Sequence, residues 1–291
     1  MKRILCILLA AAVILFTVWH FLIKPRLNRE PDLLADDLLS VHFIDVGQGD
    51  SVFIEADGIT MLIDSGEESA SDQVISYLRE LGVEKLNYVV ATHPHADHMG
   101  GMYRVIDSFD IGEVIIPDIP DEDFPTAFFF DRFLDSCDSK DVDITEAEPG
   151  RFIFIGDARA EIVAPLSSKY DDLNDYSVSL FIRHGKKSFL LTGDAEQVSE
   201  KEMAESGKLR HTDVYKAGHH GSGSSSTKAL LDVIEPGYAV ISCGAGNSYG
   251  HPHDSTIKRL SAYTDRIYRT DLCGTIVFES DGNELTVSTE R

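Results

Sequence analysis

Between Thr92 and His98 the chain reads THPHADH, which places His93, His95, Asp97 and His98 within six positions. Imidazole nitrogens and carboxylate oxygens together suit zinc, iron or manganese. Four such groups this close point to more than one ion. A plain polar turn is a poor account of them, because crowded imidazoles repel one another on protonation. Two other segments have the same character: LLTGD ends in Asp194, and KAGHHGS carries His219 and His220. Alone, Asp194 reads as a turn residue or as the N-cap of the helix that follows, and adjacent loop histidines read as exposed. All three segments follow apolar, β-branched runs, and adjacent strand ends converge on one edge of a sheet. A rigid strand end also holds ligand spacing tightly. The chemistry open to such a cluster is metal binding, with the Lewis acidity a divalent ion brings.

The elements that must position these groups are legible as alternating runs. LLSVHFIDVG, SVFIEA and GITMLIDSG form three short strands, the first two separated by Gly47-Gln48-Gly49-Asp50. ASDQVISYLRELG has helical spacing, KLNYVVAT is a buried strand leading into the His cluster, and MGGMYRVIDSF is a helix. EVIIPD is a strand and FPTAFFFDRFLDSC a helix with an aromatic face. After Pro149-Gly150 come the strands RFIFIG, RAEIVAP, SVSLFIRH and KSFLLTGD, the helix AEQVSEKEMAES, and the strand of TDVYKAGHHG. YAVISC, RIYRT, CGTIVFES and ELTVST are strands, with helices near Thr227–Ile234 and Ser255–Tyr263. Two β-rich halves, each followed by helices, predict one α/β or α+β domain and suggest an αββα sandwich.

Composition sets bounds. Of 291 residues, 43% are apolar and 26% charged, enough for a large core and unlike a disordered chain. The net charge is −23, and residues 1–29 carry five bases and no acid, which leaves −28 on the remainder. A fold this acidic repels nucleic acid at long range unless metals or a basic patch offset the field. The four cysteines, Cys6, Cys137, Cys243 and Cys273, form no CxxC pair and are expected to be free thiols, mostly buried. Residues 1–26 read as a membrane anchor or signal, 27–37 as a polar linker, and 38–291 as the folded domain. The apolar run from Ile4 to Ile23 is long enough to span a bilayer, ends without a small-residue cleavage site and carries Trp19 as an interfacial anchor. One transmembrane helix with the domain exported is expected; secretion after signal cleavage is the alternative.

THPHADHMGG, LLTGD and KAGHHGS, in that order, resemble the metallo-β-lactamase fold. HFIDVGQGDS, LIDSG, NDYSVSL, GNSYGHPH and YRTDLCGTI resemble more narrowly the soluble hydrolase domain of the ComEC competence proteins. The likeness runs from about Leu39 to Glu284, without the polytopic channel of full ComEC proteins, so a stand-alone, singly anchored relative is expected. The resemblance implies an αββα sandwich and two divalent ions, zinc or manganese. His93 and His95 would bind the first ion; Asp97, His98 and His220 the second; Asp194 would bridge. Asp97 is read as catalytic as well as a ligand. His219 is open as an alternative to His220 or as a substrate contact.

One departure stands out. Where the wider fold carries a third histidine on the first ion, this chain has LNDYSVSL, so Asn174 or Asp175 would fill the place. An oxygen ligand there shifts preference from zinc toward manganese or magnesium. Asp45, Asp50 and Asp64 are read as supports of the site. Ser222, Asn247, Tyr249 and His253 are read as substrate-side or ligand candidates, Lys216 as a phosphate contact, and His251 as a catalytic proton donor to the leaving oxygen.

The expected activity is that of a phosphodiesterase or DNA nuclease using a metal-activated hydroxide, with single-stranded DNA as a candidate substrate. The alternatives are a cell-wall or teichoic-acid phosphodiesterase (a phosphocholine ester included) and a non-catalytic, anchored binding or assembly protein. The oligomeric state is left open.

Overall fold

Side-chain alternation builds the layers. In β1 (Leu39–Phe43), Val41 and Phe43 enter one core while His42 turns to the other face, its Nδ1 2.7 Å from the Tyr77 hydroxyl. The computed structural model describes residues 38–120 and 123–291. The anchor expected over residues 1–26 and the linker over 27–37 lie outside the described residues. Among the described residues no helix is long and apolar enough to cross a membrane.

The strands β2 (Val52–Ala56), β3 (Ile59–Ile63), β4 (Lys85–Val90), β5 (Asp110–Ile116) and β6 (Ile144–Glu146) extend one sheet from β1. A second sheet holds β7 (Phe152–Ile155), β8 (Ala158–Ala164), β9 (Ser179–His184), β10 (Lys187–Leu191), β11 (Val214–Lys216), β12 (Tyr238–Ile241) and β13 (Ile267–Arg269). The chain then returns to the first sheet as β14 (Ile276–Ser280) and β15 (Leu285–Thr289). The orders are β15-β14-β1-β2-β3-β4-β5-β6 and β13-β12-β11-β10-β9-β8-β7.

Val41, Phe43, Ile54, Leu180, Ile182, Phe189 and Phe278 form the layer between the sheets. Fully burying each such side chain contributes about 1.5–3 kcal/mol. Several alternate residues, Phe53, Leu62, Phe181 and Leu190 among them, are apolar too, because helices cover the outer faces there. Phe53 and Leu62 meet α1 (Ser71–Glu80), α2 (Ala96–Met99), α3 (Met102–Ser108) and α4 (Phe128–Ser139). Phe181 and Leu190 meet α5 (Gln197–Glu205), α6 (Lys228–Ile234) and α7 (Asp254–Leu260). The result is the expected αββα sandwich.

Some short elements were not foreseen. β6 is a three-residue edge strand, too short to show a period, and α8 (Thr270–Cys273) is a single turn. Cys137 and Cys243 are buried free thiols, pushed up to about 12 by burial, and Cys273 is a half-buried one.

β3 to β6 run parallel, as do β10 to β13. Each set therefore delivers its C-terminal ends to one side. There Asp64 follows β3, His93 follows β4, Asp194 follows β10 and His219 follows β11.

Candidate metal centre

The loops at these strand ends are forced close together. Gly49 has φ +129, and a Cβ on it would lie 2.2 Å from the Asp97 carbonyl oxygen. Glycine alone lets the GQGD loop pass that close, with the Asp50 N–H donating to the Asp97 carbonyl at 3.1 Å. Asp64, His219 and His220 sit at φ 57, 48 and 52. Each such left-handed residue costs on the order of 1–3 kcal/mol, a strain the packed strand ends must hold.

His98 and His220 face each other with their Nε2 atoms 3.3 Å apart. Asp194 Oδ2 is 3.3 Å from both, and Asp97 Oδ2 is 3.3 Å from His220 Nε2. Ligand atoms about 2.0–2.1 Å from one tetrahedral ion stand about 3.3–3.4 Å from each other. His98 Nε2, His220 Nε2 and Asp194 Oδ2 therefore have the mutual spacing of three ligands to one divalent ion, and Asp97 Oδ2 has it to His220. The opposite ring nitrogens are tied down: His98 Nδ1 is 2.7 Å from Asp64 Oδ2, and His220 Nδ1 is 3.0 Å from the Ser242 carbonyl. Such ties fix the tautomer and the ring angle of a metal-binding histidine. Asp64 is itself fixed by the Thr92 N–H at 2.8 Å and the Thr92 hydroxyl at 2.7 Å.

The neighbouring pair is held more loosely. His93 Nε2 lies 3.0 Å from His95 Nδ1, so the two ring nitrogens converge. His93 Nδ1 contacts only hydroxyls, Thr92 at 3.1 Å and Ser177 at 3.3 Å. His93 is buried, whereas His95 is half-exposed on the wall of a cavity of about 350 Å³. Asn174 lines that cavity, and its Oδ1 is buried without a hydrogen-bond partner. Asp194 Oδ1 is likewise buried without a hydrogen bond, with the Lys216 ammonium 3.7 Å away.

Charge distinguishes the pairs. Burial works against a proton on His98 and His220, but Asp194 with Asp64, and Asp194 with Asp50 and Asp97, outweigh it and raise both well above the ordinary value. Burial and then His98 hold His93 well below it, so His93 is neutral at pH 7. Asp97 stays ionised despite burial, because His220 and His98 lower it. At the foot of the centre Lys216, 1% exposed, pairs with Asp50 Oδ2 and donates to the Gly193 carbonyl at 2.9 Å. Its ammonium is 3.7 Å from Asp194 Oδ1. Burial opposes the Lys216 charge, but Asp50 and Asp194 more than compensate and raise its pKa.

The structure thus gathers His93, His95, Asp97, His98, Asp194 and His220. Asp50, His98, Asp194 and His220 bring ligand-capable atoms within 4.8 Å of one another. Asp50 Oδ1 approaches His220 from the Nδ1 side, at 3.5 Å, so it backs the ring rather than completing the Nε2 set. His219 points elsewhere: its Nδ1 is 2.9 Å from Glu196, and its Nε2 reaches Asp194 only at 3.8 Å. His251 lines the cavity with an unpartnered Nδ1, and burial followed by His219 lowers its pKa to about 4.

Other sequence candidates are engaged within their own loops and helices or lie away from the centre. Asp175 Oδ1 accepts from the N–H groups of Glu196 and Ser199, capping the start of α5, and is not available to an ion. Asn247 spends both ends of its amide on its own loop, bonding Gly244, Tyr249 and His251. His253 Nδ1 accepts from the Gly223 N–H at 2.8 Å, and Ser222 Oγ pairs with Ser224 Oγ at 2.8 Å. Asp45 lies outside the centre, capping Gly47 and pairing with Arg291. Lys216 is sealed from solvent and cannot meet a phosphate. Sequence reasoning missed Glu196, Gln48 and Glu67. Glu196 binds His219 and Ser224, and the other two line the cavity. Only Gln48, inside GQGD, lay in a segment already singled out.

Comparison with known proteins agrees with this architecture. Residues 44–245 match the profile of the metallo-beta-lactamase superfamily. ComE operon protein 3 of Bacillus subtilis is 29% identical, over 95% of this chain and 37% of its own length. Recombination protein 2 of Haemophilus influenzae is 28% identical, over 84% of this chain and 29% of its own length. The chain thus spans about a third of the relatives it matches. Among solved structures, CmlA, a diiron beta-hydroxylase from Streptomyces venezuelae, superposes with TM-score 0.52 at 17% identity, covering 81% of this chain and 53% of that one. The metallo-beta-lactamase fold protein YhfI from Bacillus subtilis gives 0.51 at 11%, covering 80% and 96%. At such identities the likeness concerns the fold alone.

Proposed function

Because the chain belongs to the metallo-β-lactamase superfamily, we propose that it is a metal-dependent phosphodiesterase acting on a nucleic-acid strand. The observation that carries the reading is the set of 3.3 Å separations among His98, His220, Asp194 and Asp97. Those four residues would hold one divalent ion; His93 and His95 would hold a second, with Asp194 between them and Asn174 as an oxygen donor. Bound there, such ions supply Lewis acidity, lower the pKa of water and stabilise charge developing on phosphorus oxygens.

The chain's own groups do the rest. Asp64 and the Ser242 carbonyl keep the His98 and His220 Nε2 atoms turned inward. Asp97 and Asp194 supply negative charge where the ions would sit. His251, neutral at pH 7, faces the cavity; an anionic substrate oxygen beside it raises its proton affinity, and the proton it takes can pass to the leaving oxygen. The names of the relatives, a ComE operon protein and a recombination protein, favour DNA. The net charge of −23 favours a smaller or less anionic ester, such as a cell-wall phosphodiester. The same proposal keeps residues 38–291 as the working domain, anchored through residues 1–26 and exported.

The test begins with metal content of the purified protein, followed by hydrolysis of an aryl phosphodiester and of single-stranded DNA at rising salt. DNA cleavage should fall steeply with salt, and cleavage of a small ester should not. Asp97→Ala should abolish both. Residual activity within about tenfold of the parent, only about 1.4 kcal/mol in the barrier, would sink the assignment.

A further inference from the structure

Tyr249 is 64% exposed, yet it is not a stray surface ring. It lies on the wall of the same cavity as Asp97, Asn174, Asp194 and His251. Its ring stacks on His251 with centroids 5.7 Å apart and planes at 21°. His251 in turn meets His219 edge-on at 5.4 Å. The loop beneath is fixed by Asn247, whose Oδ1 accepts from the Tyr249 and His251 N–H groups at 3.1 and 3.0 Å. Its Nδ2 donates to the His251 carbonyl at 2.6 Å, so the ring is presented from a braced backbone. A group displayed this way loses little freedom on binding.

We propose that Tyr249, backed by His251, is a platform on which one unpaired nucleobase stacks while its phosphate lies in the adjoining cavity. The proposal rests on the phosphodiesterase reading and names its substrate class. A parallel pair of rings offers one flat outer face, which suits a planar base. A quaternary ammonium would instead need several aromatic faces around it. Bases within a duplex already have both faces covered, so the platform favours a single strand. Stacking on a neutral ring also supplies attraction that the acidic surface of this chain withholds from the phosphates.

The test uses the full-length chain, with calcium as the supplied ion, and end-labelled oligothymidylate read by fluorescence anisotropy. The comparators are an abasic strand of equal length, a duplex, and free phosphocholine as competitor. Wild type should bind oligothymidylate about tenfold more tightly than the abasic strand. Tyr249→Ala should erase that difference, Tyr249→Phe should keep it, and neither should change metal content. In cleavage assays Tyr249→Ala should raise KM for oligothymidylate and leave kcat nearly unchanged. Equal binding of the two strands by wild type would overturn the platform. So would an equal loss on both in Tyr249→Ala, or displacement of oligothymidylate by phosphocholine. If wild type cleaves no phosphodiester, the proposed activity fails, and the base-against-abasic comparison still decides the platform.

Discussion

His98 with His220, and His93 with His95, sit side by side at the strand ends but are held to different degrees. The first pair is fully buried, each Nδ1 tied to a carboxylate or a carbonyl, with two aspartate oxygens at matching distance. The second pair leans on hydroxyls, includes the half-exposed His95, and shares its cavity with the Asn174 amide. Protonation follows the same division: aspartates hold protons on His98 and His220, while His93 is neutral. Ligand identity alone would not separate the pairs. Their outer contacts do, and on the proposed two-ion reading those contacts would make one position retentive and the other exchangeable.

The most severe way to break the contrast is to remove what both positions share. Asp194→Asn should lower hydrolysis by about a thousandfold or more, since on the proposed reading the residue would serve both pairs. Bound metal, measured by elemental analysis, should fall at both positions. Two ions retained in full would show that Asp194 is not shared.

Asp64→Asn should act on one position only. Asparagine tolerates the left-handed backbone at φ 57, so the turn survives while the charged tie to His98 is lost. Affinity at the tight position should drop about 10–100-fold and the other should be unchanged, by calorimetric titration. An equal drop at both would mean the pairs are coupled more closely than their contacts indicate.

Acidity should also separate them. A proton on His98 or His220 must leave before an ion binds at Nε2, whereas His93 has none to lose. Apparent affinity at the tight position should weaken at least tenfold from pH 8 to pH 6, with proton release on binding, because the surrounding carboxylates raise the proton affinity of both rings above that of an ordinary imidazole. At the loose position the change should be smaller.

The gentlest change is Asn174→His, which offers a third nitrogen to the loose position. Zinc should then resist chelation several-fold longer, and the advantage of manganese over zinc in activity should shrink. No change in either would show that Asn174 Oδ1 is not directed to an ion.

Much of this centre was legible because its parts are local. Strand periodicity places His93, Asp194 and His220 after buried runs, and parallel strands then carry them together. What was not legible acts across the chain. Lys216 meets Asp50, and Glu196 meets His219, through contacts that leave no period or spacing behind. Asp175 and Asn247 were misread for a related reason: a carboxylate capping a helix and an amide bracing a loop look, in sequence, like ligands beside a motif. Asp50 was read as support and lies at the foot of the centre, behind His220.

Lys216 bears on the order in which the protein is made and loaded. Four aspartates, Asp50, Asp64, Asp97 and Asp194, crowd one strand edge, and without positive charge their repulsion would work against closing the sandwich. A lysine ammonium covalently part of β11 is present from translation onward, so folding has a counter-charge before any ion is encountered. On the proposed reading, loading would then be a late step that folding does not wait for. Chelation should accordingly empty the protein while its circular dichroism and cooperative melting persist, and Lys216→Met should lose that tolerance and unfold when stripped.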